Sequence, residues 1–142
     1  MRSRTAACVS VLFVLFGCPR LWAQDVTIVA NKGVPVFQVS EAQLHDIFTG
    51  ARSRFGDGSR AVPVVLKGGP VHEVFLRKHV GESLNEFRTR WQKLVFTGEG
   101  AMLKEFSSEA LLLEYVAATT GAIGYVSRTP EGSTVKILQV SQ

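Results

Sequence analysis

The chain has 142 residues, a formal net charge of +4 and 46% hydrophobic residues, values that fit a folded globular domain. The positive charge is concentrated at the N-terminus, since residues 24–142 carry 13 Lys and Arg against 12 Asp and Glu. That balance removes the main electrostatic support for nucleic-acid binding. Both cysteines, Cys8 and Cys18, also precede residue 24, so the remaining chain has no thiol for a disulfide, a nucleophile or a metal site.

The N-terminal segment has the pattern of a secretory signal peptide. Arg2 and Arg4 precede an apolar stretch over residues 6–16, and Leu21-Trp22-Ala23 offers a cleavage site before Gln24. The stretch is too short for a permanent membrane span. We therefore expect residues 1–23 to be removed and residues 24–142 to form one periplasmic or secreted domain.

An alternative processing site lies within the same segment. Leu15-Phe16-Gly17-Cys18 resembles the cleavage box of bacterial lipoproteins, in which the cysteine is lipidated. Phe16 is larger than the residue usual at that position. Lipidation at Cys18 is thus the less favoured reading of the segment.

The first half of the exported chain predicts a strand, a helix and a second strand. Apolar, β-branched residues over 26–30 predict the first strand. Ser40 with Gln43 forms a capping box for a helix over residues 41–49, and Gly50 provides its left-handed end. Residues 62–66 predict the second strand, with Pro63 near its start or at a sheet edge.

The second half predicts three helices and two strands. The helices begin at Pro70, after Ser83 with Glu86, and after Ser108, and the strands cover residues 123–127 and 135–140. On the second of these helices we expect a buried stripe of Leu84, Phe87, Trp91, Leu94 and Val95. Alternating strands and helices predict an α/β domain with a mixed β-sheet flanked by helices.

The turn from the second strand into the helix at Pro70 is the candidate binding site. A strand that passes through glycines into a helix presents free backbone N–H groups and the positive end of the helix dipole to an anion. The predicted contacts are the ammonium of Lys67 and the N–H groups around Gly68, Gly69 and Val71. The alternative is a plain strand-to-helix connection without a ligand.

Two motifs carry a resemblance to a known family. Ile47-Phe48-Thr49-Gly50 ends the first helix, and Gly121-Ala122-Ile123-Gly124-Tyr125-Val126 begins a late strand whose small residues let another element approach closely. In that order they resemble periplasmic phosphate-binding proteins, the substrate-binding proteins of phosphate ABC transporters. The resemblance covers residues 26–126 and implies a single lobe of the type 2 periplasmic-binding-protein fold.

The resemblance also implies a function, with departures at the turn. The family's strand ends in arginine and its helix opens with serine, glycine and threonine, whereas this chain has Lys67 followed by Gly69, Pro70 and Val71. Lysine lacks arginine's two-pronged geometry, and the hydroxyl donors are missing. We therefore expect weak, non-catalytic binding of phosphate or a similar oxyanion, linked to phosphate transport, with no cofactor.

The partners implied are a small oxyanion and an ABC-transporter permease or a membrane sensor, without nucleic acid or stable membrane insertion. The alternative function is a protein-interaction or sensory module derived from a solute-binding lobe. Residues 52–93 carry nine basic and four acidic residues, a field that could attract anions or an acidic partner. His72 and His79 are too far apart along one helix for a shared zinc ion, and His45 is expected to be structural.

Overall fold

A computed structural model describes residues 25–132 and 134–142, so the predicted signal peptide and both cysteines lie outside the described residues. The elements in chain order are β1 (Thr27–Ala30), β2 (Gln38–Ser40), α1 (Glu41–Thr49), β3 (Val62–Leu66), α2 (Pro70–Phe75), α3 (Leu84–Phe96), β4 (Lys104–Phe106), α4 (Glu109–Ala118), β5 (Ala122–Val126), β6 (Lys136–Ile137) and β7 (Gln139–Ser141). A π-helix, Leu76–Val80, continues directly from α2.

The main sheet has five strands in the order β4-β3-β5-β1-β6. Strand β3 runs parallel to β4 and β5, whereas β1 runs antiparallel to β5 and β6. Strands β2 and β7 form a separate parallel pair. The predicted class, a mixed sheet flanked by helices, is confirmed.

Successive residues of β5 face opposite sides of the sheet. Gly124 faces α4, where an added Cβ atom would lie 2.9 Å from Leu112 Cδ2 and 3.1 Å from Val64 Cγ2. Tyr125 faces the other way, and its ring stacks on Phe75 with centroids 3.8 Å apart. Helix α4 therefore covers one face and α1 and α2 cover the other. The close approach predicted at Gly124 is confirmed.

The predicted helix boundaries are confirmed by their caps. Ser40 with Gln43 and Ser83 with Glu86 both form complete capping boxes. In each, the serine hydroxyl accepts the backbone N–H of the Gln or Glu, and the side chain of that residue accepts the backbone N–H of the serine. Gly50 has φ 79°, the left-handed conformation expected after α1. These ends are determined locally, which is why sequence alone locates them.

The predicted last strand over residues 135–140 is wrong in its continuity. The chain forms β6 and β7, which belong to different sheets, and Leu138 between them is buried and donates its N–H to the Ile28 carbonyl at 3.0 Å. Strands β2 and β4 were not predicted, because three-residue strands with polar members show no clear alternation of apolar residues.

The predicted burial of Val95 is also wrong, since its side chain is exposed together with that of Phe96. Helix α3 lies against α1 at the margin of the sheet, so only part of its apolar stripe is covered. Phe87 is fully buried, and Trp91 is anchored by its indole N–H, which donates to the Phe48 carbonyl at 3.0 Å. No helix among the described residues is long and apolar enough to cross a membrane.

Candidate functional site

Two helices begin side by side where the parallel strands β3 and β4 end. Helix α2 follows the Gly68-Gly69 turn after β3, and α4 follows Ser107 and Ser108 after β4. The two starts enclose an open cleft of about 190 Å³. Its walls are formed by Leu66, Gly68, Gly69, Pro70, Val71, Ser107, Ser108 and Glu109.

The start of α2 has no side-chain cap. Gly69 precedes the helix with φ 95° and ψ 172°, a conformation that glycine alone adopts readily, and Pro70 takes the first helical position. An added Cβ atom at Gly68 or Gly69 would meet nothing within 4 Å. None of the hydrogen bonds between described residues uses the N–H groups of Gly68, Gly69 or Val71. Three backbone donors are therefore available at the cleft.

Lys67 lies beside the cleft, outside its walls. Its N–H donates to the Phe106 carbonyl at 2.9 Å, which continues the β3–β4 ladder, and its side chain is exposed. Its carbonyl accepts a hydrogen bond from Arg88 Nη2 at 3.2 Å. Of the four predicted site residues, the structure thus brings Gly68, Gly69 and Val71 together around the cleft.

The opposite wall of the cleft was not identified from the sequence. Ser108 caps α4 by accepting the Leu111 N–H at 3.3 Å, and Ser107 adds a hydroxyl nearby. The Glu109 carboxylate is held by Ser127, whose N–H donates at 2.7 Å and whose hydroxyl donates at 3.0 Å. A signal was present in Ser107-Ser108-Glu109, a typical helix start, but only β4 places it beside the glycine turn.

A buried pair of side chains lies beneath the turn. The Tyr125 hydroxyl accepts the Leu66 N–H at 3.1 Å and is hydrogen-bonded to His72 Nδ1. Because that hydroxyl already accepts from Leu66, we assign its proton to His72 Nδ1, which leaves the imidazole proton on Nε2. One hydroxyl thereby joins the last residue of β3 to the third residue of α2, on either side of the turn.

The environment keeps both members of this pair neutral. Burial lowers the pKa of His72 to about 4, and the positive charge of Arg88 acts in the same direction. Burial raises the pKa of the Tyr125 hydroxyl well above its usual range. At neutral pH the pair acts as a hydrogen-bonded support for the turn and carries no charge.

The other histidines have separate structural partners. His79 is buried with Nδ1 3.0 Å from Glu41 Oε2, and His45 lies at the surface with Nδ1 3.2 Å from Asp46 Oδ1. Across residues 25–132 and 134–142, no three His, Cys, Asp or Glu side chains are grouped so that they could hold a metal ion. The hydrogen-bond donors at the cleft are backbone N–H groups and hydroxyls, which suit an anion.

No family model and no curated protein sequence matches the chain. Solved structures do match its fold. A protein from Clostridium perfringens, described as a phosphate ABC transporter substrate-binding protein and solved with bound phosphate, has 18% identity and a TM-score of 0.62. The match covers 81% of this chain and 44% of that protein.

Two further structures give the same result. An ABC-type phosphate transport receptor from Vibrio cholerae has 19% identity and a TM-score of 0.53, covering 81% of this chain and 45% of the receptor. PstS from Borrelia burgdorferi has 12% identity and a TM-score of 0.58, covering 81% and 46% respectively. The chain therefore has the fold expected from its motifs, and it spans less than half the length of these proteins.

Proposed function

We propose that this protein binds phosphate or a similar oxyanion, weakly and without catalysis, in the cleft between the starts of α2 and α4. The observation that carries the proposal is the uncapped start of α2, where the N–H groups of Gly68, Gly69 and Val71 have no acceptor among the described residues. An anion would take the place of the missing cap.

The fold adds support of a coarser kind. The structures that share it include a protein solved with bound phosphate. In this chain Lys67 supplies a flexible cation beside the cleft, and Ser107 supplies a hydroxyl in its wall. Glu109 opposes binding, because its carboxylate also lines the cleft and repels a second negative charge.

Affinity should be low for two physical reasons. The cleft is open, so the anion keeps much of its hydration, and Lys67 is exposed to a high-dielectric solvent. We expect a dissociation constant near millimolar, a binding free energy of about −4 to −6 kcal/mol. Added salt should weaken binding further through screening.

The test is an NMR titration of the protein with phosphate, sulfate and acetate. We expect the amide signals of Gly68, Gly69 and Val71 to move together with phosphate. The variant Lys67→Ala should weaken binding by about 0.5–1.5 kcal/mol, as for a partly exposed charge-assisted contact. Lys32→Ala is the matched control, because Lys32 is exposed and follows the end of β1, which lies level with the start of β3 and therefore at the end of the sheet opposite to the cleft.

Two outcomes would reject the proposal. The amides of the turn could stay unchanged at high phosphate concentration, or Lys32→Ala could weaken binding as much as Lys67→Ala. Either result would favour the alternative in which the lobe serves as an interaction module.

We further propose that the protein is exported to the periplasm, or secreted, after cleavage before Gln24, and that residues 24–142 fold as one domain. We also propose a link to a phosphate permease or a membrane sensor, which the fold shared with phosphate transport proteins supports. Intact-mass measurement of the exported protein should show a chain beginning at Gln24 without lipid. An acylated chain beginning at Cys18 would establish the lipoprotein alternative.

A further inference from the structure

An exposed groove lined mainly by apolar side chains lies at the β4 edge of the sheet. Helix α3 and strand β4 border a groove of about 670 Å³. Phe96 is 93% exposed and Met102 is 82% exposed, and the apolar lining also includes Trp91, Val95 and Leu103. So much apolar side chain in one place is typical of a binding surface.

The backbone beside this groove is also unpartnered. β4 is the outermost strand, and no strand among residues 25–132 and 134–142 pairs with its outer side. The Phe106 carbonyl accepts the Lys67 N–H from β3, so Phe106 and Lys104 point their backbone groups inward. By the alternation of a β-strand, Leu103 and Glu105 point theirs outward. An extended segment could form a new ladder with these two residues.

The charges around the groove favour one kind of occupant. Arg88 and Lys104 line the groove with Glu105, and Arg52 and Arg60 lie in the adjoining depression with Glu99. Cations therefore outnumber carboxylates on this surface. They are complementary to a segment that carries acidic residues.

We propose that the β4 edge binds an extended, acidic-flanked apolar segment of another protein, which adds a strand to the sheet. Its backbone pairs with Leu103 and Glu105, its apolar side chains enter the groove beside Phe96, and its acidic residues face Arg88 and Lys104. This is the known physics of β-strand addition, in which backbone bonds give affinity and the groove gives specificity.

Two other occupants fit less well. A second copy paired β4 to β4 across a two-fold axis would place Glu105 near Glu105 and the cationic rim near itself, and like charges in register are unfavourable. A membrane surface would accept Phe96 and Met102, but it offers no partners for the outward N–H and C=O groups of the edge.

The experiment uses the purified protein and two capped synthetic peptides of alternating valine and threonine, one flanked by aspartates and one by lysines. We expect the aspartate peptide to shift the amide signals of Leu103 and Glu105 and to protect them from hydrogen exchange. The lysine peptide should bind about tenfold more weakly. An aspartate peptide N-methylated on every residue should not bind, because it lacks the N–H donors for a ladder on both of its edges.

Two protein variants separate the contributions of groove and edge. Phe96→Ser removes an exposed side chain and should weaken peptide binding by about tenfold without affecting the fold. Glu105→Pro removes the outward N–H together with the Glu105 carboxylate, and it should abolish binding while the β3–β4 ladder remains, although loss of the carboxylate alone would favour an acidic peptide. Phe37→Ser is the matched control, because Phe37 is 71% exposed and lies near β2 on another part of the surface.

Several results would overturn the proposal. These are equal binding of the two charged peptides, unchanged β4 amides, full binding by the N-methylated peptide, or equal loss in Phe37→Ser and Phe96→Ser. Sedimentation showing a dimer that Phe96→Ser dissociates would assign the surface to a second copy. Phe96-dependent binding to anionic lipid vesicles, without peptide binding, would assign it to a membrane.

Discussion

Helix α2 begins differently from the other three α-helices of the described chain. Ser40, Ser83 and Ser108 each precede a helix and accept a backbone N–H with their hydroxyls. Gly69 precedes α2 and has no side chain to do so. A serine cap satisfies one of the free N–H donors at the start of its own helix, whereas a glycine leaves that donor for a ligand. Among these four helices, α2 is therefore the one whose start leaves its backbone N–H groups without a side-chain acceptor.

The uncapped helix is held in place by other means. The Tyr125 hydroxyl connects Leu66, at the end of β3, with His72, in the first turn of α2. The stacking of Tyr125 on Phe75 fixes the next turn of the helix. Tertiary contacts from β5 thus hold α2 in position without capping it, and substitutions that remove these contacts or the serine caps of the other helices test the comparison.

The largest expected effect is that of acid on the buried histidine. The pKa of His72 is about 4 in the folded state against an ordinary value of 6.5, so between those values the unfolded chain binds the additional proton. The His72 contribution to the free energy of unfolding is complete above pH 6.5, falls by about 3 kcal/mol as the pH drops to 4, and is level below that.

Urea unfolding of the protein and of His72→Asn between pH 7 and pH 4 measures this effect. Asparagine keeps an acceptor for the Tyr125 hydroxyl but does not titrate. We expect the variant to be less stable at pH 7 and to depend less on pH across the window. The same slope in both proteins would show that another group is responsible.

The second effect is that of the tyrosine hydroxyl. Tyr125→Phe keeps the ring stacked on Phe75 but leaves the buried Leu66 N–H and His72 Nδ1 without partners. The free energy of unfolding should fall by about 2 kcal/mol. Tyr115→Phe is the control, because the Tyr115 ring packs on Phe106 and its hydroxyl has no hydrogen-bond partner among the described side chains. Equal losses in both variants would remove the special role of Tyr125.

The third effect distinguishes two of the serine caps. Ser83→Ala and Ser108→Ala should each lower the free energy of unfolding by about 1 kcal/mol through loss of a cap. Of these two serines only Ser108 lines the cleft, so phosphate should stabilise Ser83→Ala by the same amount as the unsubstituted protein and Ser108→Ala by more, because the anion can take the place of the lost cap. Thermal unfolding with and without phosphate measures these effects. An equal stabilisation of the two variants by phosphate would show that the anion does not bind beside Ser108.

The smallest effect concerns the carboxylate in the cleft. Glu109→Gln removes a negative charge while its amide oxygen can still accept a hydrogen bond from Ser127. Phosphate affinity should rise about two- to fivefold, as for a screened charge near the surface. The titration used for Lys67→Ala measures it. A fall in affinity would mean that the Glu109 carboxylate itself contacts the ligand.

The sequence by itself determined the class of fold and the local ends of its elements. The helix ends depend on neighbours within a few residues, so they can be predicted from the sequence. Examples are the capping boxes at Ser40 and Ser83, Pro70 at a helix start and the left-handed Gly50. The glycine turn before α2, with its uncapped backbone N–H groups, could be predicted for the same reason. The absence of a side chain at Gly124 also predicted that another element packs closely against β5, and in the structure that element is α4.

Only the tertiary structure decided what surrounds that turn. The pairing of β4 with β3 places the Ser107–Glu109 wall beside the turn. Arg88 on α3 donates to the Lys67 carbonyl, and Tyr125 on β5, 59 positions from Leu66 in the sequence, accepts the Leu66 N–H. Three-residue strands such as β4 carry no periodic signal, and their position depends on contacts between distant segments. The exposure of Val95 and Phe96 is also decided by the tertiary structure, because the end of the apolar stripe of α3 extends beyond the sheet and is not covered by it.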